Sequence, residues 1–100
     1  MVTTHLLIDL DRASVTDTNG RVEIALTATE WAVLEALARR GGSPVTTKEL
    51  HETVWGDSTP SQLTNVRVYV NSLRRKLEPD PTHPCCIRSQ TGRGYWLATV

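Results

Sequence analysis

The chain has little with which to cross-link or anchor itself. Its two cysteines, Cys85 and Cys86, are sequence neighbours. Neighbouring cysteines do not easily reach disulfide geometry, and no second pair is present to complete a zinc site. His83 stands just before them and adds only an incomplete metal motif, so both read as small, partly buried residues of a reduced, intracellular protein. No apolar run approaches the ~20 residues that cross a bilayer. No signal-peptide pattern follows Met1, so the expected location is the cytoplasm, with no membrane partner. The histidines, His5, His51 and His83, lie far apart and outside any catalytic or metal motif. No enzyme activity and no cofactor are therefore expected. Repeats, low-complexity tracts and a dividing linker are also missing. With 100 residues, 39% of them hydrophobic and 22% charged, the chain reads as one soluble domain with a single core.

Net charge is missing as well: eleven bases balance eleven acids. Taken whole, that argues against a nucleic-acid binder, because such domains carry a basic excess. The distribution argues the other way. Residues 1–60 hold nine acids against five bases, while residues 61–100 hold six bases against two acids. The second part of the chain is therefore the side suited to a polyanion.

That basic part begins with a helix signal. Thr59 can cap, Pro60 suits a first helical position and Gln62 can close a capping box. At roughly 100° per residue, Leu63, Val66, Val70, Leu73 and Leu77 form a core-facing stripe. Opposite it lie Thr64, Val68, Asn71, Ser72 and Arg75, with Arg67 and Arg74 nearer the flank. Such a face fits a DNA major groove, where polar side chains read base edges, valine meets a thymine methyl and arginine meets base or phosphate. An ordinary amphipathic helix with a solvated face is the alternative reading of this segment alone.

Around this helix the remaining elements fall in order. His5–Leu10, Ser14–Asp17 and the alternating run Arg21–Leu26 read as strands, with Asn19-Gly20 as a hairpin turn. Thr27-Ala-Thr-Glu30 and Thr46-Thr-Lys-Glu49 are capping boxes that start two helices. The first presents Trp31, Leu34, Leu37 and Ala38 and stops at Gly41-Gly42; the second presents Leu50, Val54 and Trp55 and ends at Gly56. Pro79, Pro81 and Pro84 end the third helix. Cys86–Gln90 and Tyr95–Thr99 then make two strands around Thr91-Gly92-Arg93-Gly94, a hairpin with one arginine at its tip.

These elements define an α+β fold, a winged helix-turn-helix. Residues 1–26 make an N-terminal antiparallel β platform, 27–78 a three-helix core and 86–99 the wing. The third helix would enter a major groove while Arg93 reaches an adjacent minor groove or phosphate.

The motifs Leu26-Thr-Ala-Thr-Glu-Trp31, Val54-Trp-Gly56, Val66-Arg-Val-Tyr-Val-Asn-Ser-Leu-Arg-Arg-Lys-Leu77 and Gly92-Arg-Gly-Tyr95 stand in the order and spacing of OmpR/PhoB-type effector domains. The chain resembles that family over nearly its whole length. The stretch from Val66 through Glu78-Pro-Asp-Pro81 to Pro84 is most similar to Kdp-type regulators of potassium-transport operons.

The resemblance implies the output domain of a two-component response regulator. In that family a membrane histidine kinase phosphorylates a receiver domain, which dimerises and sets two effector domains on direct-repeat half-sites of promoter DNA. The chain lacks a receiver's acidic cluster and phosphoacceptor aspartate. It is therefore expected to be a separately made C-terminal domain with Met1 as an added start, and a stand-alone regulator is the alternative. A protein-binding winged helix without DNA binding is a further alternative, suggested by the acidic first part. By position, Thr64, Val68, Asn71 and Ser72 match the family's base-reading places and Arg74 and Arg75 its backbone-contacting ones. Arg67 flanks the same face. Arg74 has the alternative of a salt bridge or a stem packed on the core, and Tyr69 either bonds a phosphate or covers the core edge. Many relatives carry arginines where Thr64, Asn71 and Ser72 stand, which implies a different operator and weaker isolated binding. In the wing, Thr91 holds the place where relatives often carry arginine, Arg93 sits between the glycines and Tyr95 follows. Trp55 and the loop bearing Asp57 match a region that touches RNA polymerase in activators, with a plain core aromatic as the other reading of Trp55.

Overall fold

A computed structural model describes residues 6–17, 22–56 and 64–98. In chain order it contains β1 (Leu6–Asp9), β2 (Ser14–Asp17), α1 (Ala28–Arg39), α2 (Thr47–Trp55), α3 (Thr64–Leu77), β3 (Ile87–Gln90) and β4 (Gly94–Leu97). β1 pairs antiparallel with β2, Leu6 opposite Asp17 and Asp9 opposite Ser14. The turn between them is set by Asp9, whose Oδ1 accepts the amides of Asp11 and Arg12 at 3.0 and 3.1 Å.

The expected strand over Arg21–Leu26 does not form among its described residues, 22–26. Residues 22–24 run beside β2 through one bridge, Thr16 to Glu23, with Asp17 N–H donating to the Val22 carbonyl and Ile24 N–H to the Val15 carbonyl. Val22 and Glu23 are exposed, so the alternating pattern has no second apolar face to bury, and the chain leaves β2 to deliver Thr27 to the start of α1. The Asn19-Gly20 turn lies outside the described residues.

Both capping boxes form as their sequences require. The Thr27 hydroxyl accepts the Glu30 amide while Glu30 Oε1 accepts the Thr27 amide, and Thr46 and Glu49 repeat the exchange. Each box stabilises its helix by roughly 1 kcal/mol. α2 ends on Gly56 in the left-handed region, φ 88°. The expected cap of α3, with Leu63 of its stripe, falls outside the described residues.

The core is assembled from all three helices and both hairpins. Leu34 and Leu37 of α1, Leu50 of α2, Val66, Val70, Leu73 and Leu77 of α3, and Ile87 and Leu97 of the second hairpin are all buried. Ile8 and Val15 extend it under the first hairpin. β3 pairs antiparallel with β4, Ile87 opposite Leu97 and Gln90 opposite Gly94. Two of the features that hold that hairpin on the helices involve Val45 and Glu78. Val45, just before α2, exchanges backbone hydrogen bonds with Tyr95 at 2.8 and 2.9 Å. Glu78, buried just past α3, accepts the backbone amides of Cys85, Cys86 and Ile87 at 2.9–3.1 Å. A carboxylate can take several such bonds because each oxygen offers two acceptor sites.

Candidate nucleic-acid interface

α3 displays four different sides around its axis. Its apolar stripe is buried, and the opposite side exposes Val68, Asn71 and Arg75, with Arg67 exposed toward the wing side. Val68 is 59% exposed, an apolar side chain presented to solvent in the middle of a polar face. Thr64 begins the same helix, and its side chain is outside the described set.

One flank carries Tyr69, Ser72 and Lys76, at the three-and-four spacing of a helix edge. Ser72 departs from the expected outward position. It is half-buried, and its hydroxyl donates to Oε2 of Glu30 on α1. Lys76 Nζ lies 2.6 Å from Oε1 of the same carboxylate. Burial pulls the Glu30 carboxyl up, but the hydrogen bonds from Lys76, Ser72 and Thr27 together outweigh it and hold the group at about 2. Tyr69 is half-buried, its ring centroid 5.5 Å from that of Trp55, which in turn stacks on buried His51 at 4.9 Å. Tyr69 and Trp55 therefore both cover the core edge between α2 and α3. Asp57 lies outside the described residues.

The other flank faces the wing. Arg74 is half-buried and its guanidinium donates to the Ile87 carbonyl at 3.0 and 3.2 Å and to Ser89 Oγ at 3.1 Å. It is a strap between α3 and β3 in place of the expected outward contact. At the tip, Thr91 and Arg93 are exposed. Arg93 lies 5.4 Å above the Trp96 ring and donates to Gln90 Oε1 at 3.3 Å, contacts that limit where its charge can be. Tyr95 is half-buried and packs on the core, with its backbone committed to Val45.

Between the start of α2, α3 and the wing runs an open groove of about 600 Å³. Its lining includes Lys48, Arg67 and Arg93, with Thr46, Thr47 and Gln90, and no carboxylate among the described residues. The nearby Glu49 is turned away by its capping role. The Thr46 hydroxyl and amide, and then Arg40, hold it below the usual carboxylate range. Lys48 and Gln90 were not foreseen as site residues. The only local signal for Lys48 was its place in the first turn of α2, where free backbone amides favour an anion.

Three helices, a hairpin docked on them and a cation-lined groove at their junction define a winged helix-turn-helix of the OmpR/PhoB type. The family described as "Transcriptional regulatory protein, C terminal" matches residues 20–97, and the chain belongs to it. It is a family of transcription regulators, not of enzymes. The chain is 47% identical over 73 residues to the transcriptional regulatory protein KdpE of Mycobacterium tuberculosis, covering 73% of this chain and 32% of that protein. The KDP operon transcriptional regulatory protein KdpE of Escherichia coli is 33% identical over 88 residues, covering 88% and 39%. The chain thus spans about a third of the length of these relatives. Among solved structures, the Klebsiella pneumoniae RstA DNA-binding domain in complex with the RstA box superposes with a TM-score of 0.83 at 26% identity, covering 98% of this chain and 95% of that one. The Thermotoga maritima response regulator DrrB gives 0.81 at 30% identity, covering 94% and 42%. No helix among the described residues is long and apolar enough to cross a membrane.

Proposed function

We propose that this domain binds double-stranded promoter DNA sequence-specifically in the cytoplasm, as the output domain of a two-component response regulator. The observation that carries this is the groove: in a chain of zero net charge, it gathers Lys48, Arg67 and Arg93, with no carboxylate among its described lining residues, beside an exposed helix face. α3 lies in a major groove, with Val68 and Asn71 toward base edges and Arg67 and Arg75 toward bases or phosphates. Arg93 and Thr91 meet an adjacent minor groove or phosphate, and Lys48 at the start of α2 meets a phosphate on the other side. Ser72, Arg74, Tyr69 and Tyr95 act from behind this surface by holding α3 and the wing in place.

The likeness to KdpE proteins supports a regulator of that type, acting on potassium-transport genes. Two copies bind direct-repeat half-sites as a homodimer. A sensor histidine kinase drives them through a receiver domain, and RNA polymerase is met through the loop that follows Trp55. The test is a fluorescence titration of labelled duplexes, drawn from a random pool by selection, across a range of salt. The parent is expected to lose affinity as salt rises. A double Arg75→Ala, Arg93→Ala variant should bind more weakly on all sequences, with a salt slope smaller by roughly one per lost phosphate contact. Equal affinity for parent and double variant, or binding that ignores salt, would overturn the proposal.

A further inference from the structure

Glu30 is a buried charge with more partners than its local role requires. As the third residue of α1 it completes the capping box with Thr27, a task that any acceptor oxygen could meet. The carboxylate nevertheless also takes the Ser72 hydroxyl and the Lys76 ammonium of α3, forty-two and forty-six residues away. Only 2% exposed, it cannot touch a ligand. Ser72 and Lys76 are one helical turn apart, so two contacts to one rigid carboxylate fix rotation about the α3 axis as well as position along it. On the opposite flank, Arg74 ties α3 to the Ile87 carbonyl and to Ser89. The side left between the two clamps is the one that exposes Val68, Asn71 and Arg75.

We propose that Glu30 is a specificity-determining positioning residue: by holding Ser72 and Lys76 it sets the angle at which α3 presents Val68 and Asn71 to base edges. This rests on the DNA-binding reading above. Discrimination between bases depends on hydrogen-bond and methyl contacts that a small rotation misaligns, whereas attraction to phosphates is tolerant of it. Loss of the clamp therefore lowers sequence preference more than general affinity.

The experiment compares Glu30→Gln with the parent on the best selected duplex, on the same duplex with single base pairs substituted across the half-site, and on an unrelated duplex. Glutamine still serves the capping box, so α1 keeps its start. The expected result is about a tenfold fall in the preference for the selected duplex over its single-substitution versions. Affinity for the unrelated duplex and the salt slope should stay near the parent's. Lys76→Met supplies a second variant that keeps Glu30. Positioning predicts the same loss of preference, whereas a direct phosphate contact by Lys76 would lower affinity and salt slope together and leave preference intact. Unchanged preference in both variants, or in Lys76→Met alone if Glu30→Gln does not fold, would overturn the positioning role and leave the DNA-binding reading standing. A parent that prefers no duplex over any other would overturn both.

Discussion

Gly92 and Gly94 stand two residues apart in the wing, both in the left-handed region at φ 85° and 106°, and their surroundings differ completely. Around Gly92 a Cβ would meet nothing within 4 Å, whereas at Gly94 it would lie 2.0 Å from the Val45 carbonyl oxygen. Gly94 is thus the point where the wing backbone closes on the linker before α2, and the pairing of Val45 with Tyr95 depends on it. Gly92→Ala should lower stability by about 1 kcal/mol, from backbone strain alone. Gly94→Ala should lose roughly 3 kcal/mol or more, because strain and a backbone clash add. Urea denaturation followed by tryptophan fluorescence separates the two, and similar midpoints would mean that the wing does not close on Val45. Glu78 is the second such residue. Glu78→Ala takes away the carboxylate that accepts the buried Cys86 and Ile87 amides, a loss of roughly 3 kcal/mol in the same measurement.

At the scale of the element, α3 is defined less by its own propensity than by what grips its flanks. The stripe of Val66, Val70, Leu73 and Leu77 was legible from spacing alone, and all four are buried. Ser72 was not legible, because a residue well away from the stripe centre can turn either way and its partner Glu30 is forty-two residues distant. Arg74 is the mirror case, drawn to carbonyl and hydroxyl acceptors on β3 that no helical wheel contains. The grip on Glu30 has a pH signature. Its carboxyl is held at about 2 against an ordinary value near 4.5, so the folded state binds this proton less readily than the unfolded chain. The stabilisation is complete above pH 4.5 and fades as pH falls toward 2. Thermal melts over that window should fall more steeply for the parent than for Glu30→Gln, and parallel curves would show that the carboxylate contributes nothing.

At the scale of the whole molecule, the even balance of charge conceals a separation into surfaces. Lys76 counts among the bases of the second part of the chain, yet it is paired to Glu30 from the first. Lys48 belongs to the acidic part by sequence, yet it lines the cationic groove beside Arg67 and Arg93. The field that a polyanion meets is therefore set by the fold and not by the count. Lys48→Ala should accordingly flatten the salt dependence of duplex binding by roughly one, as a phosphate contact, while its ranking of sequences stays the same. A changed ranking with an unchanged slope would place Lys48 on a base instead. Local chemistry in the sequence determined the capping boxes, the helix stops, the apolar stripes and the wing turn, because each depends on neighbours within about one helical turn. The order of those elements, with four motifs in register, was enough to indicate the family. Only the tertiary structure decided which polar side chains of α3 remain outside, where the wing closes and which cations share a groove. Those outcomes depend on partners more than a dozen residues away, and packing the core brings such partners within hydrogen-bonding reach.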